Sequence, residues 1–399
     1  MEKKIKTSLL FYLIILFIFS VFYLNIKHDV LNDSTISEWL INYYGGFTKR
    51  GIIGQISIFF SQLFDIPLRD SILIFQILII AIYYLLIYFF LKNFKYDRIL
   101  ILSIFTPIFL LYPVAEIEVL ARKEVFLFII FISYLMIPPK NKKLQNLFKF
   151  VFFPLTILIW EPIIFLFLFW ITLDIIYDEI EFFDVKFLRK IIIYSPGIII
   201  AFYIATNPLD ADQHFKMASY LKSQFNETCY MSCARLKTTA TIVQNFQHNI
   251  PRYSIEVFIR YFLIILIGFG PLFILLFYSE FKNKNLLIFK NFKNLLYPFL
   301  IILSPTIILF AMGGDWGRWV NIIYTFSLLA YLSFYKNNLI TLKIDKLKNV
   351  ILYKFKKRTF IFIFILFCFG WNPKTMITGD VASFPGYRIP YKAIKLILN

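Results

Sequence analysis

The run from Leu9 to Leu24 contains no charged residue, and comparably apolar runs recur along most of the chain. A soluble helix hides one apolar stripe and shows a polar face. A run of about 18 or more residues with no polar face reads instead as a helix in hydrocarbon, where the backbone must satisfy its own hydrogen bonds. Composition agrees, with 59% hydrophobic residues and 50 Phe in 399 residues, and a mean hydropathy of +0.72. The expected class is an all-α, polytopic integral membrane protein, with residues 1–399 forming a single transmembrane domain. Spans are expected near 7–25, 71–91, 99–115, 124–138, 145–160, 162–177, 191–206, 259–278, 295–312, 320–335 and 359–371, eleven in all.

The net charge of +18 invites a nucleic-acid reading, which the distribution of charge removes. "MEKKIK" precedes the first apolar run and no small-residue cleavage site follows it, so that run reads as a retained span with its N-terminus inside. On that orientation 25 of the 42 Lys+Arg fall on the inner side, against 9 of the 24 acidic residues. "KNKK" (140–143) and "KFKKR" (354–358) carry much of this positive-inside signal. The count depends on splitting the apolar stretch 145–177 at "WEP", which puts Glu161 at an outer turn. The C-terminus then lies outside. The Phe-, Ile-, Lys- and Asn-rich composition points to an AT-rich bacterial source, hence a bacterial inner membrane.

The outer side carries most of the non-membrane chain: loops 26–70 and 207–258, the stretch "YPVAEIEVLARKE" (112–124), "GGDWGRW" (313–319) and the tail 372–399. Within the first loop, "GIIGQISIFFSQLF" (51–64) sets Ile52, Ile56, Phe59, Phe60 and Leu63 on one side at helical spacing, with Gly54, Ser57 and Ser61 opposite. That is a helix too short to span and suited to lie in the membrane interface. Lys49 and Arg50 stand at its start, where the free N–H groups and the helix dipole favour an anion such as a phosphate. Snorkelling of the two cations to lipid headgroups is the plainer alternative.

Charged residues at membrane depth are costly and usually functional. The outer ends of the spans hold Glu116, Arg122 and Lys123, then Glu161 between Trp160 and Pro162, then Asp315 and Arg318 flanking Trp316. With Asp33, Glu38, Lys49 and Arg50 they make a ring of acids and bases on one water-facing surface. Simpler roles exist for several: Asp315 suits a helix N-cap, and Trp316 suits an interface aromatic. Cys229 and Cys233, on the oxidising side, suit a local disulfide. No phosphate loop, nucleophile elbow, zinc-protease or dinucleotide motif is present, and nothing indicates a resident metal, although a divalent ion fits the acid content.

The long first outer loop with its acids and interfacial helix, together with the span number, resembles the GT-C superfamily of membrane glycosyltransferases. "YGGFTKRGIIG", "ARKE" and "DWGRW" also look like uncharacterised membrane proteins of surface-polysaccharide synthesis. The resemblance implies a polyprenyl-phosphate-linked sugar donor, a glycan acceptor and chemistry at the outer face. It also implies a catalytic acid in the first loop, a role for Asp29, Asp33 or Glu38, although the loop has only "DVLND" (29–33) where a DxD would stand. The residues themselves suit this: Asp33, Glu38, Glu161 or Asp315 to take a hydroxyl proton, Lys49, Arg50, Glu116, Arg122, Lys123 and Arg318 to bind substrate, and Trp316 to stack on a sugar. An O-antigen-type polymerase is the rival within the pathway. A lipid-linked sugar flippase or transporter is the rival outside it, and predicts symmetric halves with polar residues at the midplane.

Overall fold

The computed structural model describes residues 2–30, 32–181, 184–237, 241–282, 292–379 and 382–383. Most of the tail 372–399 therefore lies outside the described residues. The chain is mostly helical, and its few strands are minor: Ser279–Phe281 pairs antiparallel with Ile340–Leu342, and Trp371–Asn372 with Ala382–Ser383.

Each of the eleven apolar stretches contains helix. Among the described residues, however, four helices are both long and apolar enough to cross a bilayer: Ile5–His28, Leu68–Leu91, Val185–Thr206 and Ile255–Phe277. The expectation of eleven full-length spans is corrected on this point, and the reasons are local. The stretch 99–115 is interrupted after Arg98–Phe105, because Thr106 precedes a proline and leaves the helical conformation, and helix resumes only as the short turn Tyr112–Ala115. The stretch 295–312 is broken by a 3₁₀ turn at Ser304–Thr306 around Pro305. Glu124–Met136 and Lys357–Phe369 have 13 residues each. Trp316–Lys336 is long enough but is buried from Trp316 through Phe334, so it forms the axis of the molecule rather than a wall facing lipid.

This axial helix repairs the break at Thr106. Asn321 donates its amide to the carbonyls of Ile108 and Phe109 at 2.8 and 3.0 Å, and Tyr324 donates to that of Ser103 at 2.6 Å. Irregular backbone is tolerated inside a membrane protein where other protein groups satisfy it.

The stretch 145–177 splits where the sequence suggests. The helix Lys142–Ile159 ends at Trp160, which is extended, and a 3₁₀ turn from Glu161 leads into Phe167–Asp178. Phe153 packs on Trp170 while Lys149 pairs with Asp174, so the two halves run antiparallel. Glu161 sits at the tip of this hairpin.

The amphipathic helix expected at 51–64 spans Gly51–Phe64. Its small face, with Gly54, Ser57 and Ser61, is buried against the protein, while Phe59, Leu63 and Phe64 are exposed. The inward face needs small residues: a Cβ on Gly54 would come within 2.0 Å of the Ile41 carbonyl oxygen. Ser71 donates to the Ser57 carbonyl at 2.8 Å and ties the helix to Leu68–Leu91. In loop 207–258, Cys229 and Cys233 form a disulfide.

Candidate functional site

Four connections meet at one end of the molecule: the segment 33–50, the turn Ala121–Lys123, the hairpin tip at Glu161, and the start of the axial helix at Asp315. Their charged side chains form one network with Glu38 at its centre. Glu38 is buried, and its Oε1 accepts from Arg122 Nη2 at 2.8 Å and Arg318 Nη2 at 3.3 Å, with Arg50 Nη1 at 4.0 Å. Arg318 also donates to Glu124 and lies 3.4 Å from Asp315. Arg122 reaches the same Asp315 carboxylate at 4.0 Å.

Arg50 has a left-handed backbone (φ 63°) immediately before the helix Gly51–Phe64. That conformation is uncommon for a residue with a Cβ. Two contacts hold it: the Lys123 ammonium donates to the Arg50 carbonyl, and the guanidinium grips Glu161 through two parallel bonds, Nε to Oε2 at 2.7 Å and Nη2 to Oε1 at 2.9 Å. Lys49 adds a second cation to that carboxylate at 3.6 Å. The network therefore has a buried floor of Glu38, Arg122, Lys123, Glu124 and Arg318. Its rim of Lys49, Arg50, Glu161 and Asp315 is partly open.

Five buried polar atoms in and beside this floor have no hydrogen-bond partner among the described residues: Glu38 Oε2, Arg122 Nε, Arg318 Nε, and the indole nitrogens of Trp160 and Trp319. Buried polar groups in folded proteins are overwhelmingly paired, so such a concentration in one place is unusual. The Trp160 and Trp319 rings lie 5.7 Å apart, and the Arg318 guanidinium lies 5.2 Å from the Trp319 ring.

Burial and charge set the protonation balance. Burial pushes the Glu38 carboxyl up, but Arg122, Arg318 and Arg50 together outweigh it and hold it well below the usual range. Glu161 behaves alike: burial is opposed by Arg50 and Lys49, which bring it down to about 2. Burial raises Asp315 above the ordinary carboxylate range despite Arg122. Burial lowers the Lys123 ammonium to about 7, with Glu38 opposing and Arg50 assisting. Glu161 thus adds stability that is complete above its ordinary value near 4.5 and is lost as pH falls toward 2. Charged Lys123 costs stability below about 7, a cost that disappears as pH climbs toward 10.5. The thermal midpoint should rise with pH through both windows. Glu161→Gln is expected to flatten the acid arm and Lys123→Met the alkaline one.

Other expected site residues are placed elsewhere. Asp33 caps the short helix Ser34–Ser37, accepting from the Thr35 backbone N–H at 2.8 Å, and pairs with Lys27 at 2.7 Å. Glu116 pairs with Lys374 at 3.2 Å. Trp316 is enclosed by Tyr253, Phe258, Tyr261 and Phe310 and donates to the Phe310 carbonyl at 2.8 Å. The ring turned toward the charges is Trp319. Asp315 occupies the N-cap position of the axial helix, yet its side chain makes no cap bond and turns to the arginines instead. The glycines of "YYGGF" make the turn expected of them, with Gly46 at φ 139°, but press against the helix Ala211–Phe225 rather than onto the charged network.

One buried network escaped the sequence reading altogether. Lys149 pairs with Asp174 in the hairpin, Tyr194 donates to Asp174 at 2.7 Å, and Lys190 bridges Asp174 and Asp178. The available signal was a lone lysine and a lone aspartate inside apolar runs. No group of three or more His, Cys, Asp and Glu side chains suited to a metal occurs among the described residues. Comparison of the chain with protein-family models, curated proteins and solved structures finds no match in any of the three.

Proposed function

We propose that this protein is a GT-C-type membrane glycosyltransferase that takes a polyprenyl-phosphate-linked sugar at the outer face of a bacterial inner membrane and passes it to a growing surface glycan. The observation that carries the reading is the Arg50–Glu161 fork beside the interfacial helix. Two parallel guanidinium bonds to a carboxylate have the geometry that also fits a phosphate, so Glu161 occupies the place a donor phosphate would take. In this mechanism the phosphate displaces Glu161 from Arg50 and Lys49, and Trp319 and the unpaired floor donors face the sugar. The acceptor hydroxyl gives its proton to Asp315, whose raised affinity for protons suits a general base. The acceptor oxygen then bonds to the anomeric carbon as the bond to the phosphate oxygen breaks, and the lipid phosphate leaves against the cations.

Arg50→Lys and Asp315→Asn should each lower glycan transfer at least ~100-fold, read as surface glycan in a deletion strain, with membrane levels of the protein unchanged. Full complementation by both would place the chemistry elsewhere. The three arginines on Glu38 also suit a polymerase; single-sugar extension rather than a ladder of repeat units separates the two.

The same reading includes eleven crossings, N-terminus inside and C-terminus outside, with the short helix Glu124–Met136 crossing where protein rather than lipid surrounds it. Reporter fusions at Lys142 and Lys348 should read cytoplasmic and one at Asn226 external. The reverse at Lys348 and Asn226 would sink this topology.

A further inference from the structure

We propose that the groove between the Tyr44–Gly46 turn and the helix Ala211–Phe225 is a saccharide-binding site that holds a pyranose of the acceptor glycan. It rests on the glycosyltransferase reading but is built from different residues. The groove has a volume of about 340 Å³, inside the ~300–1,000 Å³ range of small-molecule sites.

Its apolar wall is aromatic. Tyr44 and Tyr220 stack with ring centroids 3.5 Å apart and planes 12° from parallel, and Phe215 stands beside them largely exposed. Tyr220 is fixed from a second side, since Gln62 of the interfacial helix donates to its hydroxyl at 2.9 Å. The polar wall comes from the same helix, with Lys216, Ser219 and Ser223 on one face and Gln224 at its flank. Residues three and four apart share a helix face, and the opposite face buries Met217 and Leu221 in the protein. A capping box at Asp210 and Gln213 sets where the helix starts.

This pairing of rings with hydroxyl and amide groups matches a pyranose, whose C–H faces pack on aromatic rings while its hydroxyls exchange hydrogen bonds around the edge. A bare lipid chain would offer no partner to Ser219 and Gln224, whereas Ser223 already donates to the Tyr220 carbonyl at 3.3 Å. The groove is also tied to the charged network. The backbone at Gly45 abuts the Gln213 carbonyl so closely that a Cβ there would lie 1.9 Å away. Tyr44 and Arg50 are six residues apart in sequence, so their Cα atoms are separated by no more than ~22 Å. A sugar in the groove is therefore within a short glycan's length of the phosphate site.

The test uses the full chain in lipid nanodiscs and saturation-transfer NMR with five free sugars: glucose, galactose, rhamnose, N-acetylglucosamine and N-acetylgalactosamine. Irradiating aromatic protons should transfer saturation to the ring C–H protons of at least one of them. Tyr220→Phe should keep the signal, and Phe215→Ala, a change at an exposed ring, should reduce it at least tenfold. Ser219→Leu should do the same by filling the groove. Saturation confined to lipid headgroups, no sugar signal, or a signal unchanged in Phe215→Ala and Ser219→Leu would overturn the assignment. Binding is read without turnover, so the two readings fail separately. Sugar binding that persists while Arg50→Lys and Asp315→Asn still assemble glycan removes the transfer mechanism alone. Lost transfer in those variants without sugar binding removes the groove alone.

Discussion

Replacing Glu38 with alanine is expected to destabilise the protein by ~3–5 kcal/mol, the cost of removing one partner from a buried ion network. Glu38 is the carboxylate shared by Arg122, Arg318 and Arg50. Without it Arg122 keeps Asp315 only at 4.0 Å, while Arg318 keeps Glu124. Arg122 is therefore the guanidinium left buried with the weakest compensation. Glu38→Gln retains the shape and one acceptor oxygen but no charge, so its loss should be smaller. The measurement is the thermal midpoint of detergent-solubilised protein by tryptophan fluorescence, with monodispersity checked by size exclusion. A midpoint unchanged in Glu38→Ala would mean that the arginines do not depend on this carboxylate.

Glu38 also shows how far the sequence could be read. Its charge was conspicuous, and so were those of Arg50, Arg122, Glu161, Asp315 and Arg318, because isolated charges beside apolar runs are costly and stand out. The structure brings all six together. The hairpin break was legible because Pro162 lacks the N–H that a continuing helix needs and suits the first turn of a new one, where it stands. The helix Gly51–Phe64 and its two faces were legible from its period and from the residues that flank it. Which way each side chain turns was not legible. Trp316 and Trp319 are three residues apart and equally conspicuous, and only packing against Tyr253, Phe258 and Tyr261 turns Trp316 away from the charges. Asp33 looked like Glu38 in sequence, but local bonding to Thr35 fixes it as a cap. Helix continuity was over-read because apolarity persists through Thr106 and Pro305, where the α-helix is interrupted. Lys149 and Asp174 were missed because an average over a window hides one charge among many Ile and Phe.

That missed pair carries the other large expected effect. Lys149 and Asp174 are fully buried between the hairpin and Val185–Thr206. Asp174→Leu should cost ~3–5 kcal/mol, because it strands Lys149 against two tyrosine rings 5.7 Å away and weakens the hold on Lys190. Lys149→Met should cost less, since Asp174 keeps Tyr194 at 2.7 Å and Lys190 at 3.9 Å. The double variant Lys149→Met/Asp174→Leu should recover much of that loss, because an apolar pair avoids desolvating either charge, but should stay below wild type by about 1–3 kcal/mol because the buried Tyr194 hydroxyl loses its acceptor. A double-mutant cycle on denaturant midpoints reads the coupling directly. A double variant as unstable as Asp174→Leu alone would mean that the charges hold the helices better than packing can. The pair lies well back along the hairpin from the tip that carries Glu161, so the stable double variant should keep Arg50 and Glu161 in register and leave glycan transfer intact. Loss of transfer in a variant that is fully folded would instead make the buried pair part of the working site.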